Sequence, residues 1–162
     1  MNLKMLRIIL RLLMVLPFVP LVVSSHWIQV ARLNGVNGAS HDNFGSSVAI
    51  SGDTIVVGVP SAKVGGNAYQ GQAFVYVKPA GGWSALPTPA ATLYLHDGLA
   101  NQHFGSTVAI SGDTIAVGAW GITVNGHTNQ GAVHIFTKPV GGWSGSPILS
   151  AELTASDGLA ND

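Results

Sequence analysis

The residues that could do chemistry in this 162-residue chain are few, and most of them come in pairs sixty positions apart. Asp53 and Asp113 each follow a Ser-Gly. They could act as cation ligands, but Gly-Asp between two apolar runs is first of all turn chemistry. Asp97 and Asp157 each open an Asp-Gly-Leu-Ala-Asn stretch, where Asp-Gly makes a turn or bonds to neighbouring backbone. The next acidic position does not repeat, since Asp42 aligns with Gln102 and then with Asp162, which weakens a periodic calcium site. Six His residues are present and none recurs at the offset, so the three or four convergent ligands of a zinc site are not indicated. The Ser residues are numerous, sit in turns and lack a nucleophile elbow. No Cys is present, which removes thiolate chemistry and disulfides. The expectation is therefore no catalytic residue, no cofactor and no metal. Trp83 and Trp143, each in Gly-Gly-Trp-Ser, could be stacking platforms for sugars; as recurrent aromatics they fit better as caps on a structural edge.

These pairs are positioned by a repeat. Phe44 to Gly58, FGSSVAISGDTIVVG, returns as FGSTVAISGDTIAVG from Phe104 to Gly118, changed only at Ser47/Thr107 and Val56/Ala116. Gln70-Gly71 matches Gln130-Gly131 and Lys78-Pro79 matches Lys138-Pro139 in the same register. A fixed period of this length means one supersecondary unit used repeatedly. Within each unit the apolar residues alternate as in strands. Ser47–Ser51 and Thr54–Val59 form a hairpin across Gly52-Asp53, Phe74–Lys78 a third strand ended by Pro79, and Ala91–Leu95 a fourth. The second unit repeats the plan, with its hairpin at Val108–Ile110 and Ile115–Val117, its third strand at Val133–Phe136 and its fourth at Ala151–Thr154. Apolar residues on both strand faces predict sheets packed between two neighbours, as in propeller blades. A parallel β-helix is the alternative, but its coils are usually shorter and need no tight hairpin in each repeat. The predicted fold class is all-β, a partial β-propeller of about two four-stranded antiparallel blades.

The ends of the chain add three expectations. Residues 1–25 read as a signal-peptide helix, with Lys4, Arg7 and Arg11 before the apolar run Leu12–Val23 and small residues Ser24-Ser25 after it. The rival is a retained anchor, against which Pro17 and Pro20 interrupt the run. After cleavage no membrane span is expected. Trp27–Leu33 is a strand candidate, because Ala31-x-Leu33 aligns with Ala91-x-Leu93 and Ala151-x-Leu153. Residues 26–162 then hold repeats 31–90 and 91–150, with 151–162 opening a third linker. Two blades leave two apolar faces open, so further blades in the same chain or self-assembly is expected.

Phe-Gly-Ser-x-Val-Ala-Ile-Ser-Gly-Asp-Thr-Ile followed by Val-Gly-Val-Pro (residues 44–55 and 57–60) resembles the FG-GAP repeat, the blade of integrin α-subunit β-propellers, also found in bacterial exported proteins. The resemblance covers residues 31–162 and implies an extracellular propeller used for adhesion or ligand binding. The Gly-Ala-Pro of the family is Gly58-Val59-Pro60 in one copy and Gly118-Ala119-Trp120 in the other. The Asp-x-Asp-x-Asp-Gly calcium loop of many members has shrunk to Ser51-Gly52-Asp53 and Ser111-Gly112-Asp113. One carboxylate does not supply the six to eight oxygens that calcium takes.

The function expected on these grounds is non-catalytic binding or adhesion at the cell surface or outside the cell, with a protein or glycan ligand. An accessory propeller of a secreted hydrolase and a structural segment of an envelope protein are the alternatives. Nucleic acid is disfavoured, because residues 26–162 hold four basic against seven acidic groups, a net −3. The two segments that differ most between copies, 60–69 and 120–129, link second to third strands and are the expected recognition loops.

Overall fold

The computed structural model describes residues 28–145 and 147–161; the signal-peptide reading of residues 1–25, Trp27 and Asp162 lie outside them. Eight strands are present and no helix is found among the described residues. Blade 1 is the antiparallel meander β1 (Ser47–Ser51), β2 (Thr54–Val59), β3 (Gln72–Val77) and β4 (Ala91–Leu93). Blade 2 is β5 (Thr107–Ser111), β6 (Thr114–Ala119), β7 (Ala132–Thr137) and β8 (Leu149–Leu153). No helix among the described residues is long and apolar enough to cross a membrane.

The hairpins follow from their turns. Gly52 and Gly112 take φ of 55° and 53°, the left-handed value that a primed turn places at its first central residue. The register then runs Ser47 opposite Gly58 to Ser51 opposite Thr54, and Thr107 opposite Gly118 to Ser111 opposite Thr114. Each turn is braced from the third strand's end. Lys78 N–H donates to the Asp53 carbonyl at 2.8 Å and its ammonium pairs with the Asp53 carboxylate at 2.6 Å. Lys138 does the same to Asp113. Pro79 and Pro139 follow immediately, where no ladder donor is needed.

The side-chain period of two divides each sheet into unlike faces. One face of blade 1 carries Val56, Ala73, Val75, Ala91 and Leu93, all buried. Against it packs the opposite face of blade 2, with Ile115, Val117 and Phe136, so the main core is the inter-blade layer. Each large aliphatic residue buried there contributes about 1.5–3 kcal/mol. A smaller core lies on the far side of blade 1, where Leu33, Phe44 and Trp83 lean on Val57, Phe74 and Tyr76.

Residues 28–33 form no strand, contrary to the expectation for Trp27–Leu33. A strand needs a ladder, and among the described residues no strand pairs with this segment. It nevertheless occupies a fourth-strand position relative to the blade that follows it. Arg32 N–H donates to the Ala85 carbonyl at 2.9 Å, as Thr92 N–H of β4 donates to Gly145 at 3.0 Å sixty residues on.

Candidate functional site

The linker between the blades is held by the repeated Gln-Gly. Gln70 is buried, and its Nε2 donates to the Leu95 carbonyl at 2.6 Å while Asn67 Nδ2 donates to the Gly98 carbonyl at 2.8 Å. Gln130 Nε2 donates likewise to Ala155 at 2.8 Å. The linker backbone then zips along the 60–69 loop. Asn101, His103 and Phe104 N–H donate to Ala68, Tyr69 and Gln70 at 3.0, 2.9 and 2.9 Å. Gly71 is required there, since a Cβ on it would lie 2.1 Å from the Phe104 carbonyl oxygen. The role of Gln70 and Gln130 was not read from the sequence; their strict recurrence beside Gly was the available signal.

This zipping sets three rings in a row across the loop end of the two blades. Tyr69 from the 60–69 loop faces His103 of the linker, with centroids 5.7 Å apart. His103 stacks on Trp120 of the second loop at 4.2 Å and 12°. Tyr69 and Trp120 are about half exposed, at 48% and 52%. His103 is partly buried, and that burial, only partly offset by a backbone hydrogen bond at Pro60, lowers its pKa. The neutral ring stacks without desolvating a charge. The two loops that differ between repeats thus meet in one aromatic surface, a union that residue spacing did not reveal because it depends on the linker fold.

The other candidate residues do not join it. Asp53 and Asp113 sit at hairpin turns with their lysines, while Asp97 and Asp157 lie exposed in the linkers. Among the described residues no three His, Asp or Glu side chains group as a metal site. His41 meets Ser40, His96 packs on Tyr94 at 4.6 Å, and His127 Nδ1 lies 2.8 Å from the Gly158 carbonyl. His134 is buried between the blades beside Phe104, at 5.6 Å between ring centroids, with Nε2 at 3.4 Å from Glu152 and no partner for Nδ1. Its burial lowers its pKa against the opposing pull of Glu152. Phe104 is fully buried between the blades, as a packing knob, and Phe44 lies half-buried on Phe74 at 6.1 Å.

Burial overturns the sugar-platform reading for Trp143. Trp143 is 6% exposed within the inter-blade core, and Trp83 packs partly buried on the outer core of blade 1. A platform needs a free ring face, which Trp143 lacks.

A comparison with curated proteins finds no match. The FG-GAP repeat family's sequence model matches residues 27–76 and 88–136. Each match opens on a fourth-strand segment and closes in or at a third strand. That stagger fits the contacts above, in which Arg32 and Thr92 each bind the blade that follows them. With two matches spanning more than half of its length, and two four-stranded antiparallel sheets packed face to face, the chain belongs to the FG-GAP repeat family.

Proposed function

We propose that this chain is a non-catalytic binding module acting outside the cell or at its surface, with adhesion as its physiological use. The observation that carries the reading is the Tyr69–His103–Trp120 row, where the two loops that differ between otherwise repeated blades present exposed aromatic rings together. Tyr and Trp anchor recognition because they offer large, stiff contact area at small entropic cost. The ligand class is an extracellular protein or a glycan, both of which bind such faces. The export reading of residues 1–25 supports the location.

The test is a combined protein and glycan array probed with the full-length chain, beside Trp120→Ala and Tyr69→Ala. The expected result is ligand capture that both substitutions reduce at least tenfold while the melting temperature is unchanged. Capture that is insensitive to both, or no capture at all, would overturn the reading.

A further inference from the structure

The two blades have nearly the same sequence but different surroundings. Leu93 and Ala73 of blade 1 are fully buried by blade 2, whereas their counterparts Leu153 and Val133 are 54% and 38% exposed. On the other side of the molecule the relation reverses. Val108 and Ile110 pack partly buried into the inter-blade core, whereas Val48 and Ile50 are 60% and 68% exposed. One free face of each kind is therefore present on one chain.

The free face of blade 2 also holds an open cleft of about 570 Å³, whose lining includes Thr107, Gly118, Gln130, Gly131, Val133 and Leu153. Shifted back by sixty, these are Ser47, Gly58, Gln70, Gly71, Ala73 and Leu93. In blade 1 that place is filled. Ser47 Oγ donates to the Gly105 carbonyl at 2.9 Å, the Gln70 carbonyl accepts from Phe104 N–H at 2.9 Å, and Gly58 and Gly71 leave room for the Phe104-Gly105 backbone. A Cβ on Gly131 would approach no atom closer than 3.3 Å, against 2.1 Å for Gly71. The cleft is the same cradle, open.

We propose that the cleft receives the Phe44-Gly45 end of a second copy of this chain, in a head-to-tail contact that repeats the blade 1–blade 2 interface. Phe44 is already set on its own blade as Phe104 is, at 6.1 Å from Phe74 where Phe104 lies 5.6 Å from His134. The Thr107 hydroxyl stands where Ser47 donates, ready for the Gly45 carbonyl. The contact has a built-in competitor. Residues 28–41 of the incoming copy lie where β8 and residues 155–161 of the receiving copy belong, so the incoming segment must leave. Its contacts are replaced by like ones, the Arg32 bond to Ala85 by one from Glu152 in the same register. The gain is burial of Val48 and Ile50 against the first two strands of the receiving blade 2, as β5 packs on β1 and β2 within one chain, with cover for the exposed Val133 and Leu153. Such a heterologous contact propagates until it closes into a ring.

The test is sedimentation velocity on the full-length chain over a wide concentration range. Reversible association is expected. Ile50→Lys spoils one face and Val133→Asp with Leu153→Asp the other, all at exposed positions, so each variant keeps its native circular dichroism and stays monomeric. Mixed together, the two variants form a dimer and nothing larger, since each retains one intact half. Arg32→Pro, which removes the competitor's N–H, tightens association of the otherwise unaltered chain. A chain that stays monomeric throughout overturns the proposal and leaves the cleft to a Phe-Gly blade of a different polypeptide. Association that survives either face variant, or a mixture that stays monomeric, overturns it as well.

Discussion

Ser47 Oγ donates to the Gly105 carbonyl at 2.9 Å, so the first strand of one blade holds the Phe-Gly turn that opens the next. A Cβ on Gly58 would sit 2.0 Å from that same carbonyl oxygen, whereas the three atoms nearest to one on Gly118 belong to side chains, the closest being Thr107 Oγ1 at 2.2 Å. Gly58→Ala is expected to cost about 1–3 kcal/mol, because backbone has to move, and Gly118→Ala distinctly less, because a hydroxyl can rotate away. Ser47→Ala should cost about 1 kcal/mol. Urea unfolding of the three variants gives the ranking.

His134 makes stability fall with acid. Burial lowers its pKa, so the unfolded chain binds the proton more readily than the native one. The contribution is intact above the unfolded value of about 6.5 and is lost as pH drops from there toward the lower native value. His103 shifts in the same direction. His134→Phe restores the residue found at the equivalent Phe74 and removes the unpartnered Nδ1. The variant should be about 1 kcal/mol more stable at neutral pH, with a flatter melting temperature between about pH 7 and pH 5. A steeper acid loss in the variant would contradict this assignment.

The tryptophans separate structure from recognition. Trp143→Ala empties a place in the inter-blade core and should cost about 3–5 kcal/mol. Trp120→Ala removes a half-exposed ring and should stay within about 0.5 kcal/mol of the parent. Thermal melts of both distinguish them.

Calcium should leave the melting temperature unchanged. The Asp53 and Asp113 carboxylates are engaged by Lys78 and Lys138, and each turn offers a single carboxylate. A rise of several degrees in millimolar calcium would show a native-state site.

The sequence already told most of the strands, because the repeat and the two-residue alternation are local signals. The third strand, expected at Phe74–Lys78, is Gln72–Val77, and the fourth, expected at Ala91–Leu95, is Ala91–Leu93. The paired ends shift because pairing, not composition, fixes them: Gln72 gains Val59 as a partner, and Leu95 turns instead to accept from Gln70. Residues 28–33 misled for the same reason: they have strand composition, but the Arg32 bond to Ala85 does not extend into a ladder. The Tyr69–His103–Trp120 row was illegible because His103 sits in a linker whose path is set by Gln70 and Asn67. Trp83 and Trp143 carried no local mark of burial, since Gly-Gly-Trp-Ser suits an exposed turn as well as a cap.

The Phe104-Gly105 turn locks the two sheets into one unit. The most direct measurement is native-state hydrogen exchange at the Phe104 amide, which donates across the blades to the Gln70 carbonyl. The prediction is exchange only through global unfolding, at the same free energy as the central amides of β2 and β6. Exchange of Phe104 at the rate of the exposed linker, while those strands stay protected, would mean that the blades are not joined at this turn.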